Sequence, residues 1–148
     1  HMQAVMTANW NSTVSDSDEV YILGDFAWKN AQGLEMLYQL NGKKYLILGN
    51  HDKPTEEMKA CFQWVKDYAV IQDDETQVVL SHYPIAHWYN QYRGAVHVHN
   101  TKDYQAFLQY AQICKNLAIP FESYNVGCML YYMDYTPRTL DDIRRSAK

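Results

Sequence analysis

The sequence predicts an α/β domain, and three observations predict it. Short apolar runs, Val20-Tyr21-Ile22-Leu23 and Tyr45-Leu46-Ile47-Leu48, each stop at a glycine. Helical periodicity from Asn30 to Leu40 separates them. Strand, helix and strand in this order describe a parallel βαβ unit, because parallel strands need a long crossover between them. The turns Gly24-Asp25 and Gly49-Asn50 then fall at the carboxyl ends of neighbouring strands, the edge where open α/β sheets form ligand sites. A chain of 148 residues is expected to make one domain, 1–148.

The elements follow in order. Met2, Val5, Met6 and Trp10 share one helical face, so the chain is expected to begin inside a helix. Asn11 to Asp18 is a polar turn leading to the first strand. Leu34, Leu37, Tyr38 and Leu40 mark the second helix, which Asn41-Gly42 closes with a C-cap signal. Pro54 starts a short helix over Thr55 to Cys61. Residues 64–71 read as extended, and Asp73-Asp74-Glu75 as a solvated hairpin tip. Residues 76–80 form a strand that delivers Ser81-His82, and 94–99 are extended with His97 and His99 on one face. Asp103 to Leu117 is helical, 125–129 is a short strand, and Thr139 caps a last helix. Asp141 and Asp142 at its start and Arg144 and Arg145 at its end suit its dipole.

Composition narrows the function. A formal charge of −4 gives no basic footprint for nucleic acid. Cys61, Cys114 and Cys128 are isolated, with no CxxC spacing, which favours reduced thiols and a cytoplasmic location. No apolar run approaches the ~18 residues of a membrane span, so no membrane partner is expected.

Polar residues gather at the expected strand ends: Asp25, Asn50, His51, Asp52, His82, His97 and His99. Carboxylate, amide oxygen and imidazole without thiolate suit Mn²⁺, Fe²⁺, Zn²⁺ or Co²⁺. Two such cations can activate water and hold phosphoryl oxygens during in-line attack. Taken singly, the bland readings are stronger: Asp25 a turn former, His82 a core histidine, His97 and His99 a surface pair. Arg93 would contact phosphate, although a solvated arginine is the commoner role.

Gly24-Asp25, Gly49-Asn50-His51-Asp52, Ser81-His82 and His97-Val98-His99, in that order, resemble the signature of the calcineurin-like metallophosphoesterase superfamily. The surroundings, such as Asn9-Trp10-Asn11 and Tyr124-Asn125-Val126-Gly127, are similar to a small bacterial or phage-type branch. The resemblance implies an α/β/β/α sandwich and a dinuclear site holding two divalent metal ions, manganese favoured. It implies that Asp25 bridges the metals, that Asn50, His82 and His97 complete the second metal's shell, and that His99 reaches the first. His51 would sit over the phosphate, with Asp52 orienting it. Asn50, His51 and Arg93 would contact a small phosphorylated substrate, phosphodiester or nucleotide in type.

The sequence departs from that pattern in three ways. No Asp-x-His occurs anywhere, so the fold is expected to be N-terminally truncated, exposing a sheet edge that invites homodimerisation. Val96 stands where a glycine usually precedes the paired histidines, and would be strained at positive φ; Gly94 then marks a shifted turn. The stretch 100–123 is longer and more helical than the pattern requires and is expected to be an insertion. The alternative reading is therefore a non-catalytic fold that binds one metal or phosphate with little turnover.

Overall fold

The computed structural model describes residues 2–24, 30–49, 52–100, 104–126 and 136–146. These form a mixed α/β fold of two sheets and five α-helices. The expected site residues Asp25, Asn50 and His51 lie outside the described residues, as do Cys128 and the far end of the strand expected over 125–129.

The first sheet is parallel, in the order β1 (Glu19–Leu23), β2 (Lys43–Ile47) and β3 (Val65–Lys66). Helix α2 (Asn30–Gln39) is the crossover between β1 and β2, as the spacing predicts. Gly42 takes φ +93° just after it. The buried Lys44 ammonium donates to the carbonyls of Leu40 (2.8 Å) and Gly42 (3.1 Å), satisfying acceptors that the helix end leaves bare. Helix α1 (Met2–Thr13) is pinned to the same place. The Trp10 indole donates to the Asn41 carbonyl at 2.8 Å, and Asn11 donates to Gln39 at 2.8 Å. Val5, expected on the inner face of α1, is instead 40% exposed, so the buried stripe is narrower than the periodicity suggests.

The second sheet runs β4 (Tyr68–Asp73), β5 (Thr76–Ser81), β6 (Val96–His99) and β7 (Ser123–Asn125). Only β4 and β5 are antiparallel, joined by the expected tip at Asp74-Glu75. The strands β5, β6 and β7 are parallel. That pairing changes the meaning of 100–123. Helix α4 (Tyr104–Asn116) is the crossover that the parallel pair β6–β7 requires.

Three apolar clusters stack these parts. Trp10, Val14, Met36, Leu37, Leu40, Leu46, Met58 and Phe62 bury α1, α2 and the short α3 (Glu56–Lys59) against one face of the first sheet. Leu23 and Ile47 meet Val78, Leu80, Val96 and Val98 between the sheets. Val79, Trp88 and Ala95 cover the outer face of the second sheet, with Phe121 packed on them and on Phe107 of α4. Each fully buried aliphatic side chain contributes about 1.5–3 kcal/mol. The last helix, α5 (Leu140–Ser146), starts where expected: Thr139 Oγ1 accepts from the Asp142 amide at 3.1 Å. Val96 is extended and fully buried within β6 and carries none of the expected strain; Gly94 makes the turn instead, at φ +94°. No helix among the described residues is long and apolar enough to cross a membrane.

The end of β1 packs closely against the second sheet at Gly24. Its φ is +85°, and a Cβ there would collide with His82 Nδ1 and come within 2.8 Å of the Gly49 Cα. Gly94 shares the positive φ, but a Cβ there meets nothing within 4 Å. Gly94→Ala should therefore lose only the left-handed conformational preference, about 1 kcal/mol, whereas Gly24→Ala adds overpacking and should lose about 2–4 kcal/mol in urea unfolding. Equal losses at the two positions would show that the strand ends do not meet this closely.

Candidate active site at the carboxyl ends of the strands

The parallel strands β1, β2, β5 and β6 deliver their following residues to one edge. Gly24 follows β1, Gly49 to Asp52 follow β2, His82 follows β5 and Asn100 follows β6. Contacts confirm that these segments meet. Gly24 lies against Gly49 and His82. The Asn100 amide donates to the His82 carbonyl at 3.1 Å. The Asn100 side chain donates to the Gly24 carbonyl at 3.4 Å.

His82 is 5% exposed, and its Nδ1 lies 2.9 Å from the Leu23 carbonyl. A carbonyl only accepts, so Nδ1 carries a proton. This is the arrangement by which a second hydrogen bond fixes the tautomer of a ligating histidine.

Val96 and Val98 fill the core between the sheets, so His97 and His99 stand on the outer face, beneath Trp88 and Phe107. Both are fully buried, and their rings stack on each other with centroids 5.2 Å apart. Their chemistry differs.

His97 was expected as a metal ligand, yet both its ring nitrogens are engaged. Nε2 is 2.7 Å from Ser81 Oγ, and Nδ1 is 2.9 Å from Ser123 Oγ. The Ser81 hydroxyl donates its one proton to the Tyr83 carbonyl at 2.7 Å. His97 Nε2–H must then donate to Ser81, and Ser123 must donate to Nδ1. In this geometry His97 presents no lone pair to a metal. Ser123 escaped the sequence reading because only the register of two parallel strands, which sets Ser123 opposite His97, reveals it.

His99 is the reverse case. Neither of its ring nitrogens has a hydrogen-bond partner among the described residues. A buried polar group without a partner costs about 1–3 kcal/mol, so such an atom calls for an explanation. Burial first, and the neighbouring His82 second, push its pKa down to about 4; burial and then His99 push His97 down to about 3. Both are neutral at pH 7, the state a metal ligand needs.

Two other expected residues sit elsewhere. Asp52 Oδ2 accepts from the Gly49 amide at 2.8 Å while the Asp52 amide donates back to the Gly49 carbonyl at 3.2 Å. Its carboxylate and amide thus tie Asp52 to Gly49. Arg93 ends a 3₁₀ turn, Gln91–Arg93, and is exposed at the amino end of β6, on the opposite side of the sheet from His99. The structure does not bring it to the edge. Among the described residues no three His, Cys, Asp or Glu side chains form a ready metal cage.

The buried histidines make metal-free stability depend on pH. Their folded pKa values lie below the unfolded value near 6.5, so the unfolded chain binds more protons as pH falls. Their contribution is complete above pH 6.5 and is lost progressively as pH falls toward about 4 and about 3. In chelator, the urea midpoint should decline between pH 6.5 and 5, before ordinary carboxylates titrate. A flat midpoint over that range would show that these imidazoles are not buried.

No family model matches the chain. Its sequence is similar to the uncharacterized protein MJ1445 of Methanocaldococcus jannaschii, 41% identical over 61 residues that cover 39% of this chain and 35% of that protein. It is also similar to the Gene 66 protein of Mycobacterium phage L5, 29% identical over 102 residues covering 55% of this chain and 49% of that one. The chain thus spans between about a third and a half of the length of these curated relatives. Its fold is similar to the crystal structure of a protein of unknown function, AQ665 from Aquifex aeolicus, with a TM-score of 0.70 over 97% of this chain and 84% of that one, at 24% identity.

Proposed function

We propose that the chain is a metal-dependent hydrolase of phosphate esters, with phosphodiester or nucleotide-type substrates favoured, built as a metallophosphoesterase-type α/β/β/α sandwich. The observation that carries this reading is the fully buried His99 imidazole, unpartnered at both nitrogens among the described residues, beside the edge where Gly24, Gly49 and His82 meet. The order of packed layers, with α1 and α2 outside one sheet and α4 outside the other, supports the fold half of the proposal.

The donor set fits a divalent cation at His82 and His99, with Asp25 and Asn50 contributing from the turns after Gly24 and Gly49. A cation held there supplies Lewis acidity toward water and phosphoryl oxygens. The protein's own part is preparation. Leu23 fixes the His82 tautomer. Burial keeps His99 neutral. His51, beside Asp52 in sequence, would protonate the leaving oxygen. His97 is left out of this ligand set, because two serines occupy its nitrogens. That loss of one expected ligand favours a second reading, a fold that binds a single metal or phosphate with little turnover.

Two measurements on the metal-stripped protein separate the readings: calorimetric titration with Mn²⁺ alone, and Mn²⁺-dependent hydrolysis of bis(p-nitrophenyl) phosphate. The hydrolase reading expects both in the wild type. His99→Asn should weaken Mn²⁺ binding about 100-fold and remove turnover, while His97→Gln, whose amide can serve both serines, should keep Mn²⁺ affinity within about tenfold. Binding without turnover would select the second reading. Absence of Mn²⁺ binding, or an affinity that His99→Asn leaves unchanged, would overturn both.

A further inference from the structure

Tyr83 follows His82 directly and is 56% exposed, whereas His82 is 5% exposed. The two rings meet edge to face, with centroids 4.9 Å apart and planes at 83°. An exposed tyrosine on a loose loop would be ordinary surface. This one is anchored from beneath. Its carbonyl accepts from Ser81 Oγ at 2.7 Å, Ser81 accepts from His97 Nε2–H at 2.7 Å, and His97 Nδ1 accepts from Ser123 at 2.9 Å. Pro84 restricts the Tyr83 backbone from the other side. A buried hydroxyl–imidazole–hydroxyl relay therefore ends on the main chain of an exposed aromatic residue at the mouth of the candidate site. The other exposed tyrosines of this loop, Tyr89 and Tyr92, lie further along it, toward the amino end of β6.

We infer that Tyr83 is a stacking platform that selects phosphate esters carrying a planar aromatic group, a nucleobase or an aryl ring, over aliphatic ones. The inference rests on the hydrolase reading of the same site and names its substrate class. Every nucleobase or aryl group offers a π-face, so a single platform discriminates aromatic from aliphatic without reading base identity.

The test uses the Mn²⁺-loaded full chain and two matched pairs. Bis(p-nitrophenyl) phosphate and methyl p-nitrophenyl phosphate share a leaving group and differ in the group that stays. Adenosine 5′-monophosphate and ribose 5-phosphate differ only in the base, and their binding is read by calorimetry. Tyr83→Ala should lower the diaryl-to-methyl ratio of kcat/KM about tenfold, chiefly through KM, and remove an adenosine preference of about tenfold; Tyr83→Phe should keep both. If the wild type hydrolyses neither diester, the hydrolase reading fails and the binding pair alone decides the role of Tyr83. Equal binding of the two ribose phosphates, binding of neither, or a Tyr83→Ala effect that is the same for both members of each pair would overturn the inference.

Discussion

The hydrogen bond from the His82 imidazole to the Leu23 carbonyl joins the two sheets at the edge where the strand ends converge. The core between the sheets is apolar and non-directional, so Leu23, Ile47, Val78, Leu80, Val96 and Val98 hold the layers together without fixing how their ends align. A buried, directional bond between residues 59 apart in sequence does fix it. Gly24 makes the bond geometrically feasible, because no side chain could stand between the β1 carboxyl end, Gly49 and the imidazole. The same bond requires a proton on His82 Nδ1. One contact thus sets layer alignment, glycine identity and tautomer together.

The alternation of β6 imposes a second constraint. Two valines must face the sheet–sheet core, which drives both histidines to the opposite face under Trp88, Phe107 and Phe121. There the surroundings are aromatic, and among the described residues imidazolium would lose its hydration without gaining a counter-charge. Neutral rings are the affordable state. A neutral imidazole still needs two partners, one donor and one acceptor. His97 finds them in Ser81 and Ser123 on the flanking strands. His99, one pleat further on, has no hydrogen-bond partner among the described residues, and the Ser81 hydroxyl is already engaged by His97 and the Tyr83 carbonyl.

Much of the fold was legible because it is local. The crossover α2, the C-cap at Asn41-Gly42, the tip at Asp74-Glu75 and the Thr139 cap each depend on residues within a few positions of one another. What was not legible depends on pairing between distant strands. Parallel pairing of β6 with β7 makes α4 a crossover, and no periodicity within 100–123 reveals that pairing. The strain expected at Val96 vanished because the turn sits two residues earlier, at Gly94. At the candidate site, the convergence of Gly24, Gly49 and His82 followed from placing turns at strand ends. The partners of His97, 16 and 26 residues away, did not.

His97 and His99 show why order along the chain assigns location better than role. Both share a strand, a face and a motif, and an i, i+2 reading gives them the same reach. Their difference is set by what stands beside them: hydroxyls on either flank of one, none within reach of the other among the described residues. Replacing a serine flank would therefore do more to change a histidine's chemistry here than moving the histidine itself. By this reasoning the two serines contribute to the site without touching it. They occupy both nitrogens of one imidazole and, through Ser81, hold the main chain of the residue that follows His82.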